Sequence, residues 1–372
     1  MALSKLNNDS FADTAVHGQR NLIINGAMTV AQRGTSSTTS GFGTVDRFET
    51  SNANNDEAPT QAQHALTSSD TGVYEKGFRN SYHITNGNQT SGAGADDRVT
   101  IQYNIEAQDI AKSGWDYTSS SSYITLSFYC KSSVAQNFYG RLQSQDGTQQ
   151  GYAFETGSLS ADTWTKVTKI IPGDSDLTFN NDNNSGMLIE FVMFRGTAKT
   201  GTMTLDAWDT WNTSVRVPDM TSTWYTTNDA TFEITGVQLE VGDKATPFEH
   251  RSYGDELARC QRYYQKITGI TSGNTNDGGF IAGTYWTSSK VFAPVQLNPT
   301  MRIAPTMGVS SIGNIAVLSS GNSDSATGFS ANGSTNKYVE WELSGISGTG
   351  GNGAWVRITG GSSNYIDFDA EL

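Results

Sequence analysis

The sequence predicts a mainly β protein of sandwich type, with one short helix and a smaller β domain after it. Three observations carry that reading. Short runs of alternating apolar and polar residues recur between turn clusters rich in Gly, Asn, Ser and Asp, without the interleaved helices a βαβ fold requires. Hydrophobic residues make up 35% of the chain and charged ones 16%, yet 16 Phe, 15 Tyr and 8 Trp supply large apolar surfaces. Both shares are below the usual globular values, but disordered chains are poor in aromatics, so this chain folds. Third, helical periodicity stands out at one place, after residue 251. At 372 residues the chain exceeds what one core commonly supports, so more than one domain is expected.

The elements follow in order. Residues 1–19 are polar, with Leu3, Leu6, Phe11 and Val16 spaced too irregularly for an amphipathic element, and read as an N-terminal attachment arm. Residues 20–251 form the sandwich, with strands expected at 99–105, 123–131, 163–171, 187–194, 202–208 and 231–241. In the last of these Val237, Leu239 and Val241 alternate with Gln238 and Glu240, which predicts one buried face. Gly242-Asp243 then turns the chain and Pro247, which has no ladder donor, ends the sheet. Ser252 with Asp255 is a capping-box start, and Leu257, Cys260, Gln261 and Tyr264 share one stripe, predicting a helix over 252–265 within a helix and linker segment 252–266. Leu257 and Tyr264 are its packing residues, and full burial of Leu257 would make Leu257→Ala cost about 2–5 kcal/mol.

Residues 267–372 are richer still in Gly and Ser but hold alternating strands at 338–343, 354–359 and 365–370, a second β domain. The Gly-rich loop 344–353 between the first two lacks the Lys-Ser/Thr of a phosphate loop and reads as a hairpin tip.

A formal net charge of −13 without a basic run argues against nucleic-acid binding. No apolar run approaches the roughly 20 residues that span a bilayer, and the amino terminus lacks a signal-type apolar segment, so folding in a cytoplasm without membrane insertion is expected. Cys130 lies in a strand pattern and Cys260 on the helix stripe, so both read as buried small hydrophobes and not as a disulfide. The four histidines, His17, His64, His83 and His250, have no zinc-like spacing and no Gly-x-Ser-x-Gly elbow occurs, so no enzymatic activity is expected. Asp96 with Asp97, or Glu240 with Glu249, could supply the paired carboxylates of a glycosidase, although adjacent acids are commonly solvated turn residues. Asp174, Asp176 and Asp182 gather on one Asn/Asp-rich loop whose oxygens suit calcium, without EF-hand spacing and equally able to make turns; no other cofactor is expected. Trp115 and Trp208, and above all Trp211, Trp224, Tyr225, Tyr285 and Trp286, are near strand ends or loops where an aromatic face can stack on a sugar, with burial in a core as the competing fate.

Three motifs carry a family resemblance: Asn21-Leu-Ile-Ile-Asn-Gly-Ala-Met28, Ala31-Gln-Arg-Gly34 and Val45-Asp-Arg-Phe48, followed by the long stretch 236–266 that begins Gly236-Val-Gln-Leu-Glu-Val-Gly-Asp. Over about 20–266 the chain resembles a module that recurs in structural and tail-fibre proteins of tailed bacteriophages, especially those of marine bacteria. The resemblance implies a jelly-roll sandwich similar to carbohydrate-binding modules, opening with a strand at 21–28, on a virion appendage assembled in the host cytoplasm. Asp46 and Arg47 fall inside a motif and read as an ion pair at a strand start, with Val45 and Phe48 packed inside. The function expected is that of a tail-fibre or spike subunit adhering to a host-surface glycan or protein. Its expected partners are itself as a homotrimer and other tail or capsid proteins through residues 1–19, and residues 267–372 would be the receptor-facing tip. A capsid-decoration or tail-connector protein with no receptor role is the alternative, and a glycan depolymerase a further one.

Overall fold

A computed structural model describes residues 20–269 and 281–372, so the attachment arm expected at 1–19 lies outside the described residues. Strands hold 44% of the described residues and helices 8%, which makes the chain mainly β as expected. The chain divides into two compact units, one up to Glu256 and one from Leu257 to Glu371, with the division inside a helix.

The first unit is a sandwich of two six-stranded sheets. One sheet contains Ser36–Ser37 (β1), Thr60–Ala65 (β3), Asn80–Thr85 (β4), Tyr123–Ser132 (β6), Thr165–Pro172 (β9) and Thr231–Val241 (β12), in the order β1-β3-β4-β12-β6-β9. The other contains Phe48–Ala53 (β2), Arg98–Glu106 (β5), Asn137–Ser144 (β7), Gln150–Ser158 (β8), Ser185–Arg195 (β10) and Trp208–Thr210 (β11), in the order β11-β8-β7-β10-β5-β2. The chain passes from one sheet to the other at every connection of this unit except β3 to β4, β7 to β8 and β10 to β11, the wrapping of a jelly roll. Alternate residues face inward: Ile124, Leu126, Phe128 and Cys130 of β6 meet Met187, Ile189, Phe191 and Met193 of β10, with the Phe128 and Phe191 rings 4.9 Å apart edge to face. Two short helices, Ala107–Ala111 (α1) and Thr223–Thr226 (α2), sit in connections.

The opening motif is not a strand. Asn25 and Met28 adopt φ of 62° and 58°, which breaks the extended run. The segment is nevertheless pinned along β12: Leu22 N–H donates to Leu239 O, Val237 N–H donates to Gly26 O, and Asn21 Nδ2 donates to Val237 O. A Cβ on Gly26 would stand 2.1 Å from Val237 O, so this approach requires glycine. The strand expected at 202–208 is also absent apart from its last residue, because Asp206 turns at φ 56° and regular pairing begins at Trp208. Nor does β12 have a wet face: Gln238 and Glu240 are both buried, since Thr246 donates from N and Oγ1 to Glu240 and Glu249 N–H donates to Gln238 Oε1.

The helix Tyr253–Gln261 (α3) starts as its cap predicts. Asp255 N–H donates to Ser252 Oγ at 3.2 Å and Ser252 Oγ donates to the Asp255 carboxylate at 2.6 Å. It ends early, because Arg262 N–H donates back to Arg259 O and Tyr263 N–H to Cys260 O, closing a tight turn. Tyr264 therefore belongs to the strand Tyr264–Thr268 (β13), and Leu257 is only half-buried, so its removal forfeits less than a core leucine. Cys130 and Cys260 are free thiols, both buried, and burial pushes the Cys130 thiol up to about 12.

The second unit has two sheets. Thr306–Val309 (β16) and Tyr365–Asp369 (β22) join β13 in the order β13-β22-β16. Ile281–Thr287 (β14), Lys290–Gln296 (β15), Ile315–Ser319 (β17), Asn322–Ser325 (β18), Gly328–Ser334 (β19), Tyr338–Ser344 (β20) and Gly353–Ile358 (β21) form the order β18-β17-β21-β14-β15-β20-β19. Val291, Val339, Trp341, Leu343, Val356, Ile366 and Phe368 make its core. β20 and β21 are separated by β14 and β15, so the Gly-rich loop is a crossover and not a hairpin tip. It lies on Tyr285: a Cβ on Gly348 would come within 2.3 Å of that ring.

A cation-rich groove on the outer sheet face

The β10 sequence Met-Leu-Ile-Glu-Phe-Val-Met-Phe places one charge among apolar residues. Its alternation puts Met187, Ile189, Phe191 and Met193 in the core and turns Glu190 to the outer face, where it is nevertheless completely buried. Cross-strand register gives Glu190 its partners: Gln102 of β5 on one side and Arg141 of β7 on the other. Arg141 Nε donates to Glu190 Oε2 at 2.5 Å, while Arg195 Nη2 and Gln102 Nε2 donate to Oε1 at 2.7 Å and 2.8 Å. Burial alone would raise this carboxyl, but the Arg141 and Arg195 charges and the hydrogen bonds outweigh it and hold Glu190 at about 2.

The segment after β10 returns across this face. Arg216 N–H donates to Lys199 O, Thr200 bridges to Val217, and Thr200 Oγ1 donates to Asp219 at 2.6 Å. Trp211 lies against Gly151, where a Cβ would approach its ring to 3.2 Å. The guanidinium carbons of Arg141 and Arg216 are 4.3 Å and 5.6 Å from the Trp211 ring centre, within cation–π reach. Between sheet and segment is a groove of about 380 Å³ bounded by Trp211, Arg141, Arg216, Thr202, Thr204, Asp209 and Asn212. Arg216 also borders an adjoining cavity of about 440 Å³ with Arg98, Arg195, Lys199, Asn54, Asp96 and Asp97. Among the described residues the side chains of Arg98, Lys199 and Arg216 have no ion-pair partner, and the Nε atoms of Arg98, Arg195 and Arg216 are buried without a hydrogen-bond acceptor.

Of the aromatic candidates, this groove takes Trp211 alone. Trp224 is fully buried with its Nε1 donating to Thr231 O, and Tyr225 stacks on Phe194 with ring centres 4.2 Å apart. Trp115 is core, and Trp208 packs on Tyr152 and donates to Pro172 O. In the second unit Tyr285 is buried and donates to Ser347 O, whereas Trp286 is 70% exposed. Two of the three loop acids cap turns: Asp174 Oδ1 accepts from Asp176 N–H and Asp182 Oδ1 from Asn184 N–H. Asp46 accepts from Gln32 N–H and Nε2, while Arg47 donates to Asn104 O at 2.6 Å and sits over the Tyr103 ring, so both serve the fold. Glu240 and Glu249 are likewise held by Thr246 and by Asn21 N–H. Sequence reasoning did not single out Arg141, Glu190, Arg195 or Arg216; the available signal was a lone Glu inside an apolar strand.

Among the described residues one set of three side chains converges as metal ligands would: His64, His83 and Glu233, whose ligand atoms lie within 4.8 Å of one another. Glu233 is already engaged there, by Lys131 Nζ at 2.9 Å and Ser81 Oγ at 2.6 Å. Burial raises its pKa, but hydrogen bonds from His83, Ser81 and Lys131 outweigh this and keep it well below the usual carboxylate range. A lysine ammonium already bonded to the shared carboxylate makes this a hydrogen-bonded network in preference to a cation site.

No protein-family model matches the chain, and no curated protein matches it. Among solved structures it is similar to the enzymatically active domain of tailspike protein 4 of bacteriophage CBA120, at 9% identity over 60% of this chain and 22% of that chain, with a TM-score of 0.31. It is similar to the N-terminal cellulose-binding domain of Cellulomonas fimi β-1,4-glucanase C at 8% identity, covering 58% of this chain and 99% of that one, TM-score 0.27. The family 11 carbohydrate-binding module of Clostridium thermocellum, solved with a β-1,3-1,4-mixed-linked tetrasaccharide, gives 12% identity, 58% and 98% coverage and a TM-score of 0.25. This chain thus spans under a quarter of the tailspike domain's length, and likenesses this loose assign it neither ligand nor partner.

Proposed function

We propose that the chain is a non-enzymatic adhesion protein of a tailed-bacteriophage particle, a fibre or spike subunit that holds host-surface glycan in the groove over the second sheet. The observation that carries the binding role is the groove itself: an aromatic ring beside hydroxyl, amide and guanidinium donors, in a volume within the usual range of ligand sites. Asp209 borders the groove and Asp96 and Asp97 the adjoining cavity, so the non-enzymatic part of the reading is tested separately, by assaying the same saccharides for cleavage. The placement on a phage particle is supported by the motifs at 21–48 and 236–266, and a homotrimer docked through residues 1–19 is the assembly that goes with it. The test is binding of the full chain to a panel of bacterial surface polysaccharides, with competition of particle adsorption by the soluble chain. Binding that falls on the order of tenfold in Trp211→Ala supports the reading. Unchanged binding in that variant, or no bound saccharide and no competition, rejects it.

A second reading, a decoration or connector protein, is favoured by the outer face of the seven-stranded sheet in the second unit. There Trp355 is 57% exposed between Leu318 and Ala282 in register, and Trp286 stands 5.8 Å from Phe292. Exposed tryptophans on one sheet face suit a protein contact.

A further inference from the structure

We infer that the groove selects an acidic saccharide, with an anionic substituent, carboxylate or sulfate, received by Arg216, Lys199 and Arg98 beside the ring-binding space at Trp211. This rests on the glycan-binding reading and names its ligand class.

The local charge is opposite to that of the whole. The chain carries a formal charge of −13 with 24 Lys and Arg, yet Arg98, Arg141, Arg195, Lys199 and Arg216 converge on two adjoining cavities. Asp96, Asp97 and Asp209 are on the lining of these cavities, and Asp97 and Glu190 are engaged elsewhere. Glu190 is shared by Arg141 and Arg195, and Asp97 accepts Gly94 N–H at 2.6 Å. That leaves Arg216, Lys199 and Arg98 without a counterion among the described residues, and the buried Nε atoms of Arg98, Arg195 and Arg216 without an acceptor. The Arg216, Lys199 and Arg98 side chains are partly exposed, but a buried guanidinium N–H without an acceptor costs free energy unless something compensates it. Burial and the neighbouring Arg195 and Arg141 charges pull Arg216 below its ordinary pKa, with Glu190 only partly opposing them. An arriving anion supplies what the fold omits.

The geometry fits a sugar better than a free ion. Arg216 is common to both cavities, so one ligand can rest its ring among Trp211, Thr202, Thr204 and Asn212 and extend its charged group to the cations. The planar fork of a guanidinium matches carboxylate and sulfate oxygens two at a time, which a neutral hydroxyl cannot reproduce.

The experiment is calorimetric titration of the full chain with oligogalacturonate and a sulfated oligogalactan, with the methyl-esterified and desulfated counterparts of each, and with inorganic sulfate alone. The expected result is binding of an acidic saccharide at least tenfold tighter than its neutral counterpart, weakening as salt rises. Arg216→Gln and Lys199→Gln should each bring the acidic saccharide down to the neutral level. Lys199 is partly exposed and unpaired, so its variant keeps the test available if Arg216→Gln folds poorly. Equal binding of acidic and neutral saccharides overturns the inference and leaves the glycan-binding reading standing. No saccharide bound at all overturns both. Inorganic sulfate binding as tightly as the sulfated saccharide, or both variants binding like the wild type, overturns the inference.

Discussion

Arg141 and Glu190 stand opposite each other in register on β7 and β10, with Arg141 Nε 2.5 Å from Glu190 Oε2 and both side chains closed to solvent. Such a pair is weak evidence for net stability but costly to break, because removing one partner strands the other. Glu190→Gln should therefore destabilise the first unit by about 3–5 kcal/mol, since Arg141 and Arg195 would both lose their acid. Denaturant midpoints of wild type and variant check this, and a difference under about 1 kcal/mol would show that neighbouring groups compensate the two arginines.

The same carboxylate gives a pH dependence. Glu190 is lowered from an ordinary 4.5 to about 2 in the folded state, so its contribution is fully present above about 4.5 and is lost as pH falls towards 2. Glu233, lowered by His83, Ser81 and Lys131 against the effect of burial, acts in the same direction over the same acid range. Thermal unfolding from pH 6 down to pH 2 should show melting temperatures that fall most steeply below about 4.5, with a shallower fall in Glu190→Gln. Identical acid limbs in the two proteins would remove Glu190 as the cause.

The motifs that carry the family resemblance act as a clasp. Asn25, fully buried, donates from Nδ2 to Val30 O and Asp46 O, accepts Val30 N–H on Oδ1, and gives its own N–H to Glu256. Asn25→Ala removes three of these four bonds and places alanine at φ 62°, so a loss of at least about 2 kcal/mol is expected from stranded backbone groups alone. Equilibrium unfolding measures it, and a neutral Asn25→Ala would mean the clasp closes instead through Asn21 and through Arg251, which donates to Asn21 O and Ile23 O.

The fold was legible in the sequence wherever one face of a strand is apolar, as in β6, β10 and β20. It was illegible in Thr-Gln-Ala-Gln-His-Ala of β3, whose pairing with β4 rests on backbone hydrogen bonds without a hydrophobic repeat. Glu249 was legible only as a candidate acid beside Glu240, whereas it accepts Asn21 N–H, as Asp46 accepts Gln32 N–H, and both tie the motif segments together. The groove escaped notice because its parts lie far apart: Arg141, Glu190 and Arg216 come from three segments that only register and a returning loop unite. Trp224 and Tyr225 looked like loop aromatics since α2 is too short for a period to reveal its inward face.

Leu257 marks how the early end of α3 changes a magnitude. A fully buried leucine would lose about 2–5 kcal/mol on truncation, but Leu257 is half-buried, so Leu257→Ala should cost about 1 kcal/mol. Gly348→Ala, by contrast, drives a methyl into the Tyr285 ring and should lower the melting temperature of the second unit more than Leu257→Ala does. Calorimetry of the two variants checks the order, and a reversed order would place the crossover loop away from Tyr285.

Trp286 and Trp211 separate the two functional readings. Trp286 is 70% exposed on the outer sheet face of the second unit, touching Phe292, so Trp286→Ala should leave the melting temperature within about 1 °C of wild type, as surface substitutions do. If the exposed aromatics serve a protein contact, this variant should assemble poorly into particles while soluble chain still binds glycan through Trp211. If the groove alone carries function, particles with Trp286→Ala should form and adsorb normally, and those with Trp211→Ala should form but adsorb poorly. Counting incorporated protein and adsorbed particles for both variants assigns each face its role, and normal assembly and adsorption in both would remove both faces from particle function.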